Sequence, residues 1–187
     1  MMISKETFAK HRERIVAAAA KLFRARELDA VRVADIMKSV GLTHGGFYNH
    51  FSSKEDLATV ACEAACAIGD ERSILAVEAG ASLRAFVTSY LSEAHVKNAG
   101  DGCVFAALGS EAARADRPIR KALTEGMNAR FERVGRMFSG SPKQRRAKAI
   151  ATLSSLIGAL TLARITTDDE LAEEILATVA ASISDES

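Results

Sequence analysis

The sequence predicts an all-α protein, with a three-helix N-terminal unit followed by a six-helix C-terminal body. Three observations support this. Only 5% of the 187 residues are aromatic, and the two prolines are Pro118 and Pro142. Apolar residues recur at helical spacing along the chain. Cap and turn residues divide them into nine helices and leave no strand candidate. A chain of this length can bury a core in one domain or in two small ones.

The first helix is expected over about residues 5–26, with an apolar stripe through Ile15, Ala19 and Phe23. A second, short helix follows and ends at Gly41, where a left-handed residue would stop it. Its apolar residues lie on one face and are Val33, Ile36, Met37 and Val40. These spacings indicate that each helix buries one side.

A third helix is expected over residues 42–51, with Thr43 as its cap and Phe47 and Phe51 pointing inward. Its outer face is then left to His44, Gly45, Tyr48 and Asn49. Two short helices joined by a glycine turn form a helix-turn-helix, whose second helix lies in the major groove of DNA. The pattern therefore predicts a DNA-binding protein.

The remaining helices are defined by their caps. Ser52 to Glu55 reads as a capping box that starts a long helix ending near Gly80. Further helices are expected over about residues 82–97, 103–113, 117–138, 142–165 and 167–182, separated by loops such as residues 98–102. We divide the chain into a head, residues 1–51, and a body, residues 52–187.

Charge gives modest support to DNA binding. The formal net charge is +1, but residues 1–60 carry ten Lys/Arg against seven Asp/Glu, whereas the rest carries fifteen against seventeen. The three cysteines imply no disulfide framework. No apolar stretch reaches the length of a membrane span, and the N-terminus lacks the apolar region of a signal peptide. A cytoplasmic location is therefore expected.

The head also carries a resemblance to a known family. The matching segments are Arg14-Ile15, Ala18-Ala19, Leu22-Phe23, Val33 to Ile36, Gly41 to Thr43, Gly46 to Tyr48, His50-Phe51 and Lys54 to Leu57. On these residues the chain resembles the TetR/AcrR family of bacterial transcriptional regulators. The resemblance is weaker in the body, where Gly102-Cys103 and the segment Gly158 to Arg164 look like one subgroup of that family.

The chain departs from the family pattern at two positions. Glu27 stands where the first helix usually ends on glycine, so either that turn is strained, by about 1 kcal/mol, or the helix ends otherwise. Arg32 replaces the usual Ser/Thr cap of the second helix, which loses about 1 kcal/mol. We consider two interpretations for Arg32, a contact to a DNA phosphate and drift at a tolerant surface site.

Resemblance and helix geometry together give the candidate DNA contacts. Side chains that carry a hydroxyl, a ring N–H or a positive charge can bind DNA phosphates. The candidates of this kind are Thr43, Tyr48, His50 and Lys54. His44 and Asn49 are the candidate base readers. Gly45 and Gly46 would allow a close approach to base edges, and a glycine pair within a helix has no obvious structural benefit.

The resemblance also implies a homodimer and a small-molecule effector. The expected dimer interface comprises Leu153, Leu156, Ile157, Leu160, Ile175 and Val179, unless these residues complete the core of one subunit. The expected effector pocket is lined by Phe86, Tyr90, Cys103, Phe105, Leu108, Glu111, Met127, Asn128 and Phe131. Aromatic and Met residues at helical spacing also occur in ordinary cores, so that alternative stays open.

The predicted function is a ligand-responsive dimeric repressor that binds a palindromic operator through the helix 42–51 and is released by the effector. An alternative is a redox or electrophile sensor switched through Cys103, which opens a helix after a glycine loop. We expect no enzyme, because the sequence shows no nucleophile–base pair, phosphate loop or metal set. No metal and no cofactor are expected, since His44 and His50 lack further ligands at zinc-site spacing.

Overall fold

The computed structural model describes the backbone of residues 4–78 and 82–185, together with the side chains of 4–69 and 82–183. These ranges hold nine α-helices, two short 3₁₀ helices and no strand, so the all-α prediction is confirmed. The α-helices are α1 (Lys5–Arg26), α2 (Val33–Ser39), α3 (Lys54–Glu78), α4 (Leu83–Tyr90), α5 (Glu93–Lys97), α6 (Val104–Ala112), α7 (Arg117–Gly135), α8 (Pro142–Ile165) and α9 (Asp169–Asp185).

The first two helices form as predicted. Ser4 caps α1 by accepting from the Thr7 N–H at 3.1 Å, and Ile15, Ala19 and Phe23 are buried along its length. Gly41 ends α2 with a φ of +70°, the left-handed conformation that favours glycine.

The second helix of the helix-turn-helix is shorter and tighter than the predicted span 42–51. It is a 3₁₀ helix over His44–Asn49, in which Gly46 N–H donates to Thr43 O at 3.0 Å. Thr43 precedes it in an extended conformation, but its hydroxyl makes no cap hydrogen bond. Two successive glycines disfavour the α conformation at this point by about 1 kcal/mol each.

Several predicted boundaries need correction because a neighbouring residue provides the cap. Ser53, not Ser52, accepts from the Asp56 N–H at 3.1 Å, and the Asp56 carboxylate accepts from the Ser52 N–H at 3.0 Å. Asp168, not Thr167, accepts from the first N–H groups of α9. The expected end of α3 near Gly80 lies outside the described residues.

The helix expected over residues 82–97 is two helices. Ser82 caps α4 as predicted, but α4 ends at Tyr90, and Ser92 accepts from the His95 N–H at 3.3 Å to start α5. A second capping serine within the span thus breaks the helix. The cap of α8 is as predicted, with Ser141 before Pro142 and a reciprocal hydrogen bond from the Ser141 N–H to Gln144.

Two apolar clusters form the core. The first joins α1, α2 and the 3₁₀ helix to α3, α6 and the first half of α7, with Phe23, Phe47, Leu57, Leu108 and Leu123 among its buried members. The second joins α4, α8 and α9 to the second half of α7. The first cluster contains residues from both sides of the expected boundary at residues 51 and 52, so head and body share buried surface.

Glu27, which follows α1, is the one described non-glycine residue with a positive φ, at φ 72° and ψ 158°. This region of the backbone map is almost exclusive to glycine. The conformation is held on both sides. The Glu27 N–H donates to Phe23 O at 2.9 Å, and the next two N–H groups, of Leu28 and Asp29, donate to the Glu111 carboxylate at 2.9 and 3.1 Å. The strained form of the turn expected at Glu27 is therefore the one present.

One described helix, α8, has the length and mean hydropathy of a membrane span, with a value of 1.3 over its most apolar window. This is weak support for a membrane location, because a core helix passes the same test. Leu153, Leu156 and Leu160 of α8 are buried in the second cluster, as expected of a core helix.

We predict that Glu27→Gly raises the free energy of unfolding by about 1 kcal/mol, because glycine adopts this backbone conformation without steric cost. Urea denaturation followed by circular dichroism measures the change. Glu27→Ala is the matched control, since it removes the carboxylate but keeps the Cβ atom, and it should give no such gain. Equal effects of the two substitutions would contradict strain at this residue.

Candidate functional site

The outer face of the helix-turn-helix is a polar surface built on a buried aromatic base. Phe47 is fully buried. The Tyr48 ring lies edge-on to it, with ring centroids 5.2 Å apart, and 66% of Tyr48 is exposed. Thr43, His44 and Asn49 are also exposed beside it. The 3₁₀ helix thus carries a hydroxyl, an imidazole, a phenol and an amide on the side away from the core.

The two glycines of this helix face in different directions. A Cβ atom built on Gly45 meets no atom within 4 Å, so this position opens to solvent. On Gly46 it would lie 3.5 Å from Thr43 Oγ1 and 3.7 Å from Met37 Cε, inside the fold. Only Gly45 therefore leaves free space on the outer face.

The basic residues predicted around this helix have different surroundings. Arg32 is exposed and makes no side-chain cap hydrogen bond, while its N–H donates to the Asp35 carboxylate at 3.3 Å. Lys54 is half-buried, and its ammonium donates to Asp29 O at 3.2 Å, where it ties α3 to the loop before α2. Arg14, which sequence reasoning did not select, donates to Val40 O at 2.7 Å and fixes the end of α2.

His50 packs within the head. Its ring stacks on Phe8 with centroids 4.2 Å apart, and Nδ1 is buried without a partner among the described residues. Burial lowers the pKa of His50, and the nearby charges of His11 and Arg12 lower it further. The ring is therefore neutral near pH 7.

A cavity of about 530 Å³ opens in the body between α3, α4, α7 and the loop around Gly102. Phe86, Tyr90 and Cys103 line it, as expected. The structure does not bring the other expected residues to it. Three of them belong to the core: Leu108 is buried in the first cluster, and Phe105 and Phe131 pack against the clusters. Met127 faces solvent. The two polar residues are engaged elsewhere, since Asn128 accepts from Arg146 at 2.6 Å and Glu111 accepts from the N–H groups after α1. They lie on other faces of α6 and α7.

Sequence reasoning missed the polar lining of this cavity. Arg130 lies on the buried stripe of α7, seven residues after Leu123 and four before Val134, and a charge on an apolar stripe was the signal that could have identified it. His95 also lines the cavity. Its Nδ1 lies 2.6 Å from Tyr90 O, and its Nε2 accepts from the Cys103 N–H at 2.9 Å.

Residues 15–60 match the family model described as bacterial regulatory proteins, tetR family. This match contains the helix-turn-helix and the start of α3, the same segment that presents the polar outer face. The head of the chain is therefore a tetR-type helix-turn-helix unit. This unit is a DNA-binding helix-turn-helix of the kind found in bacterial regulatory proteins of the tetR family.

Solved structures of TetR-family proteins share the fold over nearly the whole chain. A transcriptional regulator from Cytophaga hutchinsonii is 18% identical, with a TM-score of 0.77 and 99% and 98% of the two chains covered. A regulator from Chloroflexus aurantiacus is 24% identical, with a TM-score of 0.76 and 94% and 95% covered. The reduced form of E. coli NemR is 22% identical, with a TM-score of 0.74 and 91% and 95% covered. No curated protein sequence matches significantly.

The head of this protein reaches the body cavity directly. Arg24 of α1 lines the cavity, and its Nε donates to Gly100 O at 2.8 Å. Lys21, one turn earlier, pairs with Asp101 at 2.8 Å on the surface. The loop between α5 and α6 therefore contacts both the cavity and the helix that supports the helix-turn-helix.

The residues expected at a TetR-type dimer interface divide into two groups. Leu153, Leu156 and Leu160 are at most 1% exposed in the single chain, so they complete its core, the alternative considered above. Ile157, Ile175 and Val179 are half-buried. The most exposed large apolar side chains of α8 and α9 are Leu162 at 50%, Ile165 at 71% and Leu171 at 43%. Leu171 was also expected at the interface from the sequence, whereas Leu162 and Ile165 were not.

We predict that the pKa of His50, measured by NMR titration, lies below the ordinary histidine value of about 6.5. The unfolded chain then binds this proton before the folded one, so stability from His50 is fully present above pH 6.5 and is lost as the pH falls toward the lowered pKa. His11→Gln should raise the pKa of His50, because it removes a neighbouring positive charge. A His50 pKa at or above 6.5 would contradict this environment.

Proposed function

We propose that this protein is a dimeric repressor that binds a palindromic operator through His44–Asn49 and is released when a small molecule occupies the body cavity. The observation that carries the proposal is the outer face of that helix, where exposed Tyr48 and Asn49 flank the open position at Gly45. A surface with donors beside a position that lacks a side chain fits a base edge closely.

Within this proposal the side chains have separate roles. Thr43 and Tyr48 donate hydroxyl hydrogens to phosphates, and Arg32, exposed at the start of α2, adds a cation beside the backbone. His44 and Asn49 read bases. Lys54 and His50, the other expected contacts, are engaged within the protein, so their contribution is to hold the interface in position.

A palindromic operator requires two heads about 34–36 Å apart, hence a dimer. We propose that α8 and α9 form its interface as a four-helix bundle of two chains, with Ile157, Ile175 and Val179 at its inner edge and Leu162, Ile165 and Leu171 covered by the partner. A Cβ atom on Gly158 would meet nothing within 4 Å, which leaves room for a close approach of two α8 helices.

Release is proposed to act through α1. Arg24 connects the cavity to Gly100, and the Glu111 carboxylate holds the turn after α1, so a ligand that moves this loop also moves the base of the helix-turn-helix. Binding of a ligand in the cavity does not by itself release the operator. The ligand has to prefer one spacing of the heads, since equal affinity for both spacings shifts nothing.

The surroundings of Cys103 favour a bound ligand, rather than reaction of this thiol, as the trigger for release. This residue is 5% exposed, and its N–H is engaged by His95. Reactive cysteines lie in partly exposed surroundings. Cys62 is unsuited too, because burial raises the pKa of its thiol to about 11.

We predict that Gly45→Ala lowers operator affinity by about tenfold or more, while the free energy of unfolding stays equal or rises by up to about 1 kcal/mol. The added methyl group meets no protein atom, so its effect falls on the DNA. Fluorescence anisotropy on an operator found by selection from random duplexes measures the affinity.

Gly46→Ala is the matched control, since its methyl group would make ordinary contacts with Thr43 and Met37 inside the fold. It should change operator affinity much less than Gly45→Ala does. Equal losses from the two variants, or no loss from Gly45→Ala, would contradict the proposed docking face.

We further predict that Ile165→Glu converts the dimer to monomer in sedimentation velocity experiments, because it places a charge in the proposed apolar interface. Met127→Glu is the control, as Met127 is an exposed apolar residue of α7 outside the proposed interface. An Ile165→Glu protein that stays dimeric would place the interface elsewhere.

A further inference from the structure

Arg130 is a buried cation without an anionic partner among the described residues. Only 6% of it is exposed, and its Nε has no hydrogen-bond partner in the part of the chain that the structure describes. Its guanidinium carbon lies 5.7 Å from the centre of the Tyr90 ring, and a Cβ atom built on Gly69 would lie 2.8 Å from Arg130 Nη1. A buried guanidinium is costly unless an anion or acceptors satisfy its five N–H donors.

The Tyr90 hydroxyl is a second unsatisfied polar group in the same cavity. Tyr90 is 5% exposed, and its Oη has no hydrogen-bond partner of normal geometry among the described residues, although the Cys103 side chain lies beside it. Burial raises the pKa of this hydroxyl well above its ordinary value, so that it stays protonated and available as a donor. A donor and a cation thus converge on one space.

The remainder of the cavity is suited to an apolar group. Ala65, Ile68, Ala85 and Phe86 contribute carbon surface to its lining. Asp101 is the one carboxylate among the described lining residues, and it forms an ion pair with Lys21 at the surface. Among the described lining residues, Arg130 therefore contributes a positive charge to the cavity.

We propose that the cavity binds an apolar small molecule that carries a carboxylate, which pairs with the Arg130 guanidinium and accepts from the Tyr90 hydroxyl. Arginine binds a planar carboxylate through two parallel hydrogen bonds, and these bonds strengthen where water is excluded. The volume of about 530 Å³ lies within the range of small-molecule sites. This inference rests on the proposed function only in naming the ligand as the effector.

Matched acid and amide probes test the proposal on the full-length protein. The probes are octanoate with octanamide and 1-naphthaleneacetate with 1-naphthaleneacetamide, and titration calorimetry measures binding without DNA. At least one acid should bind about tenfold or more tightly than its amide, as expected for a charge-assisted pair. If neither acid binds, or if both acids bind no better than their amides, the proposal is overturned.

Variants of Arg130 and Tyr90 then test which side chains produce the preference for the acid over the amide. Arg130→Met should abolish the difference between acid and amide, Arg130→Lys should keep part of it, and Tyr90→Phe should reduce it. Arg130→Met should also raise the melting temperature of the unliganded protein, because it removes an unpaired buried charge. If the acid preference survives in Arg130→Met, or if that variant melts lower than the parent, Arg130 is a structural residue and the proposal fails.

The outcome can be separated from that of the proposed function. Acids that bind with the expected preference but leave operator binding unchanged support the ligand class and contradict the proposed release. Intact operator binding with no affinity for either acid contradicts the ligand class alone.

Discussion

The structure depends on the packing of α1 into both halves of the chain. Ile15, Ala19 and Phe23 belong to the same buried cluster as Leu57, Leu108 and Leu123, so the head has no core of its own. Two polar contacts fix the junction. The Arg24 guanidinium donates to Gly100 O, and the Glu111 carboxylate binds the N–H groups of Leu28 and Asp29. The helix-turn-helix is thereby mounted on an element that the body holds in place.

This arrangement gives the functional parts a physical connection. α1 packs against α2, and α2 packs against the 3₁₀ helix, while Arg24 near the C-terminal end of α1 lines the cavity. A ligand that draws the loop at Gly100 toward itself would change the contacts of α1 directly, because Arg24 donates to Gly100 O. The strained backbone at Glu27, held between Phe23 O and Glu111, marks the turn at which such a change would enter the helix-turn-helix.

Sequence periodicity was sufficient for the helices and for the helix-turn-helix, because each has one apolar face and recognisable caps. It failed where two residues compete for one cap, as with Ser52 and Ser53, and where a second serine, Ser92, divides a helical stretch. The outer face of the 3₁₀ helix could be predicted, since Phe47 fixes its inner face. The cavity could not be predicted from the sequence, because its lining depends on how α3, α4 and α7 cross. The spacing of residues along one helix carries no information about the crossing of helices.

The shared core of head and body can be tested with the two tyrosines of the chain, Tyr48 in the head and Tyr90 in the body. Incorporation of fluorotyrosine gives one ¹⁹F resonance from each, and a urea titration follows both in the same sample. A shared core predicts that the two native resonances disappear together, with one midpoint. A Tyr48 resonance that is lost at a lower urea concentration than that of Tyr90 would show that the head unfolds alone, and would contradict this account.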